Sequence, residues 1–155
     1  MSITLGIDPG VSGAVAALDG SGILLAVHDM PTAIVGKSRK RHDVLEGQLA
    51  QILAQYPGAT VWIEAVGAMP KQGVSSTFLF GVCYGICRGV AAGLGLRVEL
   101  VTPQVWKRAC GLLGADKDAA RAVASRRFPS APLSRVKDGG RADALLIAAY
   151  GADNA

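Results

Sequence analysis

Three carboxylates lie beside apolar segments that should be buried. Asp8 and Glu64 each end an apolar, strand-like segment, and Asp143 opens an apolar helix. A charge at a buried edge is costly unless it is paired or metal-bound, and three together repel one another without a cation. Carboxylates are the usual ligands of Mg²⁺, and two such ions can flank a phosphodiester and activate water. The residues therefore predict a metal-dependent nuclease.

The composition predicts one folded domain with a polyanionic partner. The chain has 155 residues, enough for a single domain, 1–155, with a real core. Half of its residues are hydrophobic and only 18% are charged, which excludes a disordered chain. The net charge of +4 and the sequence pI of about 9.2 favour a polyanion such as DNA.

The cysteines indicate a reducing compartment. Cys83, Cys87 and Cys110 are odd in number and too few for a disulfide scaffold. Cys83 and Cys87 share a helical face with apolar neighbours, so they are expected in the core and not at a metal. The first strand begins almost at Met1 and no signal peptide is predicted before it. We therefore expect a cytoplasmic protein.

One segment, 77–96, has the length and composition of a membrane-spanning helix. It carries a single charge, Arg88, and four glycines spaced four residues apart, as in a membrane helix-packing face. Arg88 lies near its middle, and a buried helix of a soluble protein is also apolar all round. We predict no membrane partner. The ridge formed by Gly81, Gly85, Gly89 and Gly93 then allows close approach to the sheet or to a second subunit.

The elements that position the carboxylates form an α/β pattern. Apolar segments bounded by turn residues predict five strands, at 3–8, 14–18, 23–27, 61–64 and 97–101. Residues 31–42 are predicted as a loop. Predicted helices follow Asp43 and Asp116 as N-caps, and others cover the glycine segment, 104–110 and 141–150. Three antiparallel strands followed by strand–helix alternation predict a mixed five-stranded sheet with helices on both faces.

This order of elements resembles the RNase H-like fold, and the motifs resemble those of RuvC-type Holliday junction resolvases, phage-type or divergent bacterial members included. The matching pieces lie in order along most of the chain, at 6–10 (GIDPG), 62–66 (WIEAV), 101–107 (VTPQVWK), 114–117 (GADK) and 137–145 (KDGGRADAL). The resemblance implies a homodimer, in a bacterial or phage-infected cell, that cuts four-way DNA junctions. It also implies two Mg²⁺ or Mn²⁺ ions in each active site.

The resemblance also assigns residues. Asp8, Glu64 and Asp143 match the catalytic, metal-binding carboxylates, and Lys107 and Lys117 match basic residues that hold DNA. The remaining predicted DNA contacts come from basic loops, and they are Arg39, Lys40, Arg41 and Lys71. A solvated surface is the alternative for the loop residues and for Lys117, and Asp143 alone could be an acid favoured at a helix start.

Two positions depart from the family pattern. The pattern has an acid or a histidine about three residues before the last aspartate, where this chain has Gly140, and Asp138 is the nearest substitute as a fourth catalytic ligand. On one helix Asp138 and Asp143 would be about 140° apart, so Asp138 can serve only if the helix begins after it. Gly67 occupies the place of an aromatic residue thought to wedge against junction bases.

Two other functions remain open. One is a RuvX-type nuclease of RNA processing, which shares the fold but differs in its later acidic motifs. The other is a junction-binding protein without catalysis, in which the acids form a structural cluster.

Overall fold

A mixed five-stranded sheet forms the centre of the molecule. In this computed structural model the structure describes residues 2–38 and 40–155, except for the side chain of Lys117. The strands are β1 (Thr4–Asp8), β2 (Ala14–Leu18), β3 (Leu24–Asp29), β6 (Thr60–Glu64) and β7 (Arg97–Val101). They lie in the order β3-β2-β1-β6-β7, in which β1–β2 and β2–β3 pair antiparallel and β1–β6 and β6–β7 pair parallel. The predicted α/β sheet is confirmed.

Helices cover both faces of this sheet. They are α1 (Glu46–Leu53), α2 (Val74–Gly93), α3 (Pro103–Ala109), α4 (Lys117–Arg127) and α5 (Gly139–Asp153). One core cluster joins the sheet to α1 and α2 through residues such as Leu5, Leu53 and Cys87. A second cluster joins the other face to α3, α4 and α5, with Ala16 and Leu145 among its members. Because β1 and β2 are covered on both sides, they are apolar without alternation.

The strand register brings two of the predicted acids to one edge of the sheet. Ile7 pairs with Ile63 across the parallel strands β1 and β6, so Asp8 and Glu64 end neighbouring strands at the same edge. Helix α5 packs on β1 at Gly6, where a Cβ atom would overlap the backbone of Ala144. This close approach holds the start of α5, with Asp143, over the same sheet edge.

Residues 31–44 differ from the predicted loop and helix cap. They form an antiparallel hairpin of β4 (Thr32–Val35) and β5 (Arg41–Val44), with Gly36 at a φ of 94° in the turn region. Asp43 lies inside β5, where Arg41 donates a 2.8 Å hydrogen bond to it, and is not an N-cap. Helix α1 begins at Glu46 because the pairing with β4 keeps the chain extended up to Val44.

Helix α2 is apolar on an outward face as well as an inward one. Cys83, Cys87 and Ala91 are buried in the core, which confirms the predicted packing role of both cysteines. The ridge glycines point into open space, with no atom within 4 Å of an added Cβ. Among the described residues, α2 is the one helix long and apolar enough to cross a membrane, by length and composition alone.

Candidate active site

Asp8, Glu64 and Asp143 form an electrostatically coupled cluster at the carboxyl edge of β1 and β6. Burial and then the charge of Glu64 raise the pKa of Asp8 from 3.8 to about 6. Burial and then the charges of Asp8 and Glu64 raise the pKa of Asp143 from 3.8 to about 7. Burial also raises the pKa of Glu64. Each of these carboxylates is therefore destabilised as an anion by the fold itself, as expected where a cation is to be bound.

The donor set fits hard divalent cations. All three side chains offer carboxylate oxygens, which suit Mg²⁺ and Mn²⁺. In the described part of the chain, no three Asp, Glu, His or Cys side chains are arranged closely enough to hold one ion. The donor chemistry therefore suits a hard divalent cation, although the three side chains do not converge on a single ion position in this structure.

The turn after β1 fixes Asp8. Its Oδ1 accepts a 3.3 Å hydrogen bond from the backbone N–H of Gly10, and the N–H of Gly13 donates to the Gly10 carbonyl at 2.9 Å. A Cβ on Gly13 would overlap the backbone carbonyl of Asp8. The glycines of this turn therefore allow the chain to reverse immediately behind the carboxylate.

Trp106 is a site residue to which the sequence assigned no role. It is fully buried on α3, and its indole N–H donates a 2.7 Å hydrogen bond to Oε2 of Glu64. The two residues are 42 positions apart, and no local pattern connects them. The only available signal was the apolar residue preceding Lys107 in the motif at 101–107.

Lys107 lies close enough to the three carboxylates for its charge to act on them. Its charge lowers the pKa of Asp8, Glu64 and Asp143 against the effect of burial. Its Nζ lies 5.3 Å from the centre of the Trp106 ring. The site therefore contains a basic group that can meet a phosphate next to the acids.

The other predicted DNA-binding residues lie on surface segments. Lys71 is in the exposed loop after β6 and has a φ of 66°, which is unusual for a residue other than glycine. Lys40 and Arg41 are exposed at the start of β5, and Arg41 is paired with Asp43. Arg39 lies outside the described residues. Lys117 begins α4, capped by Asp116 as predicted, and only its backbone is described.

A surface cavity lies between the β4–β5 hairpin and the first half of α2. Lys40, Arg41, Asp43 and Glu46 line it together with residues of α2. A second, smaller cavity shares Leu79 and Cys83 with it and is also lined by Val11, from the turn behind Asp8. Neither cavity is lined by Asp8, Glu64 or Asp143, and the larger one carries charges of both signs on a mostly apolar wall.

Asp138 lies in a different cluster from the three carboxylates. It is 2% exposed, and its oxygens accept hydrogen bonds from the backbone and guanidinium of Arg135 at 2.7–3.0 Å. Arg135 holds the pKa of Asp138 below its usual value. Helix α5 does begin directly after Asp138. The carboxylate nevertheless turns to Arg135, which compensates its burial, and so the structure does not bring it together with Asp8, Glu64 and Asp143.

The two positions that depart from the family pattern, Gly140 and Gly67, are both glycines, but the space around them differs. Gly140 packs against the backbone of Ser12 and Gly13 so closely that a Cβ would overlap the Ser12 carbonyl oxygen. Gly67 is exposed and has open space around it. Position 140 therefore has no room for a side chain, whereas position 67 has room for one.

Comparison with known proteins identifies the fold. No protein-family model matches the chain, and no curated protein matches it. Among solved structures, Thermus thermophilus RuvC in complex with a Holliday junction substrate is similar with a TM-score of 0.63 and 16% identity, over 99% of this chain and 95% of that one. Another Thermus thermophilus RuvC structure has a TM-score of 0.59 and 18% identity, over 97% of this chain and 96% of that one. The chain therefore has a RuvC-type, RNase H-like fold, as predicted.

Proposed function

We propose that this chain is a metal-dependent endonuclease that cuts four-way DNA junctions. The observation that carries the proposal is the cluster of Asp8, Glu64 and Asp143 at one edge of the sheet, in which burial raises all three pKa values, Glu64 also raises that of Asp8, and both raise that of Asp143. The similarity of the fold to a RuvC structure bound to a Holliday junction supports the choice of substrate. A purely structural role is disfavoured, because burial still raises the pKa of all three carboxylates despite the charge of Lys107 and the hydrogen bonds to Asp8 and Glu64.

In the proposed site, Asp8, Glu64 and Asp143 hold two divalent ions, Mg²⁺ or Mn²⁺. When bound, such ions activate water and stabilise the charge of the leaving oxygen. Asp8 would be one of the ligands, and its hydrogen bond from the Gly10 N–H holds it in place. Lys107 would contact the phosphate beside the cleaved bond, and its charge offsets part of the negative charge of the cluster.

The basic end of the hairpin is the proposed contact for a DNA arm. Lys40 and Arg41, with Arg39 next to them in sequence, would contact phosphates away from the acids. Lys71 and Lys117 are the remaining proposed contacts. Such contacts supply affinity through counterion release but carry no sequence information.

A homodimer completes the proposed enzyme. Resolving a four-way junction requires two cuts and hence two active sites. The outward face of α2 is apolar, with Phe78 74% exposed, Val82 40% exposed and the ridge glycines open to solvent. Because exposed apolar faces of this kind commonly mark interaction sites, we propose that α2 packs against its copy in a second subunit.

Cleavage of defined substrates tests the function. The purified chain is incubated with Mg²⁺ and a four-way junction, a flapped duplex or an RNA/DNA hybrid, beside the Asp8→Asn variant. Paired cuts in the junction alone, lost in the variant, support the proposal. Preferential cutting of RNA indicates the RuvX-type alternative. Binding of the junction with no cutting by the wild type indicates a non-catalytic binding protein.

A further inference from the structure

The contact between Trp106 and Glu64 joins the hydrophobic core to the acid cluster. Trp106 is 0% exposed and belongs to the same core cluster as Val101, Leu112 and Leu145. Its indole N–H is its only polar group, and it donates to Oε2 of Glu64 at 2.7 Å. The indole cannot rotate away from Glu64 without opening the core around it.

The hydrogen bond leaves half of the Glu64 carboxylate free. Within the described residues no other group donates to Glu64, so Oε1 has no hydrogen bond of its own. A glutamate side chain has several rotatable bonds, and a ligand that must first be ordered binds a cation less well. An immobile donor on one oxygen orders the side chain before any cation arrives.

We propose that Trp106 is a positioning residue that orients Glu64 as a divalent-cation ligand. The inference rests on the proposed function and adds a residue to it. Trp106 is suited to this role because a neutral N–H donor orients a carboxylate without cancelling its charge. Groups that hydrogen-bond to metal ligands commonly act in this way.

The neighbouring residue supports the assignment. Lys107 follows Trp106 on α3, and its Nζ lies 5.3 Å from the indole ring. Helix α3 thus contacts Glu64 from the core side through Trp106. It also brings the ammonium group of Lys107 to the same cluster. Movement of α3 would disturb both groups together.

Trp106→Phe tests the proposal, with Trp62→Phe as its matched control. Trp62 lies on β6 two residues before Glu64, and its buried indole N–H has no hydrogen-bond partner in the described part of the chain. Both variants lose the same atoms, but only one loses a contact with Glu64. We expect Trp106→Phe to raise the Mg²⁺ concentration for half-maximal junction cleavage about 10- to 100-fold. Saturating Mg²⁺ should restore much of the rate, and junction binding without metal should be unchanged.

The control should leave the Mg²⁺ requirement unchanged, since no ligand contact is lost. A Trp106→Phe requirement within about twofold of wild type, less than the effect usual for such partners, would overturn the inference. Equal effects of the two variants would overturn it as well, because they would indicate a loss of packing alone.

A spectroscopic measurement covers the case in which Trp106→Phe does not fold. The chain has two tryptophans, so Trp62→Phe leaves Trp106 as the only one. Adding Mg²⁺ should change the fluorescence of Trp106, and the further change Glu64→Gln should abolish that response. Calorimetric binding of Mg²⁺ without any change in fluorescence contradicts the inference.

The inference and the proposed function fail in different ways. A wild-type chain that neither binds Mg²⁺ nor cuts junctions refutes the proposed function, and the inference with it. A wild-type chain that does both, while Trp106→Phe matches it in metal binding and cleavage, refutes the role of Trp106 alone.

Discussion

Gly140 at the start of α5 lies directly on the carbonyl oxygen of Ser12, in the turn behind Asp8. A Cβ atom at this position would overlap the Ser12 backbone, so the helix approaches the turn more closely than any other residue would allow. The contact ties the helix that carries Asp143 to the turn that carries Asp8. It also explains why no acid can occupy this position without a shift of α5.

We expect Gly140→Ala to destabilise the fold and Gly139→Ala to be tolerated. The first change forces the new methyl group against rigid backbone, at a cost of about 1–3 kcal/mol. Gly139 has helical backbone angles and open space for a Cβ, so its change should stabilise the protein by about 0.4–1 kcal/mol. Urea denaturation of both variants measures the difference. Equal stabilities would contradict the close packing of α5 on the turn.

Asp8→Asn and Glu64→Gln should abolish cleavage but preserve junction binding. Each removes a proposed metal ligand, and we expect a rate loss of more than about 100-fold. Binding should persist or tighten, because neither side chain is proposed to touch DNA and negative charge is removed. Asp118→Asn, at an exposed acid on α4, is the control and should cut normally. Near wild-type cutting by either site variant with Mg²⁺ present would show that the site is misassigned.

Without metal, stability should fall as the pH rises from about 4 to 7. The folded chain holds protons on Asp8 and Asp143 up to pKa values of about 6 and 7, whereas the unfolded chain releases them near 3.8. Between these values the folded state binds more protons, so raising the pH favours unfolding. After solvent screening the loss is on the order of 1–3 kcal/mol for the pair.

Denaturation between pH 4.5 and 8, in EDTA and in Mg²⁺, measures this dependence. Mg²⁺ should remove the decline, and Asp143→Asn should reduce it. Asp29 and Asp138 have lowered pKa values, so they affect stability only below about pH 4 and do not mask the effect. A metal-free stability that is constant or rises over this range would contradict the coupling of the acids.

The sheet and its three acids can be predicted from the sequence, because each depends on residues that are close together along the chain. A run of apolar residues ending in a single carboxylate identifies both the strand and its end, as at Asp8 and Glu64. Since parallel strands end at one edge, their juxtaposition follows from the order of elements alone. The register of β1 and β6 agrees with this reasoning.

Other features depend on partners that the sequence does not reveal. The hairpin of β4 and β5 has strands of only four residues each, and the basic residues between them are not a typical hairpin-turn sequence, so the sequence does not predict their pairing. Trp106 meets Glu64 only through the packing of α3 on the sheet. Asp138 is different, because its partner Arg135 lies only three residues before it, so that this pairing is local in sequence. The sequence does not show that Asp138 is buried, and it is this burial that makes the ion pair with Arg135 necessary.

Changing Arg39, Lys40 and Arg41 together to alanine should reduce the salt dependence of junction binding. Each lost phosphate contact should flatten the log–log slope by about one unit. Arg41 is already paired with Asp43 at an exposed site, where such pairs are weak, so a phosphate can replace that partner. Arg97→Ala is the control, because Arg97 is likewise an exposed cation paired with a nearby acid, Glu99, and begins β7 at the far end of that strand from Glu64. An unaltered slope in the triple variant would show that the hairpin end is only a solvated surface.

Gly85→Leu should weaken the proposed dimer, whereas Gly47→Leu should not. Both glycines lie exposed on helices with open space around them, and leucine is the better helix former, so neither change should harm folding. Only Gly85 lies on the outward face of α2, where a large side chain would keep two helices apart. We expect Gly85→Leu to weaken dimer association by about 1–3 kcal/mol, which raises the Kd of the dimer about 5- to 150-fold. Sedimentation equilibrium can measure this change. A wild-type monomer at high concentration contradicts the dimer, and an unchanged dimer in Gly85→Leu places the interface elsewhere.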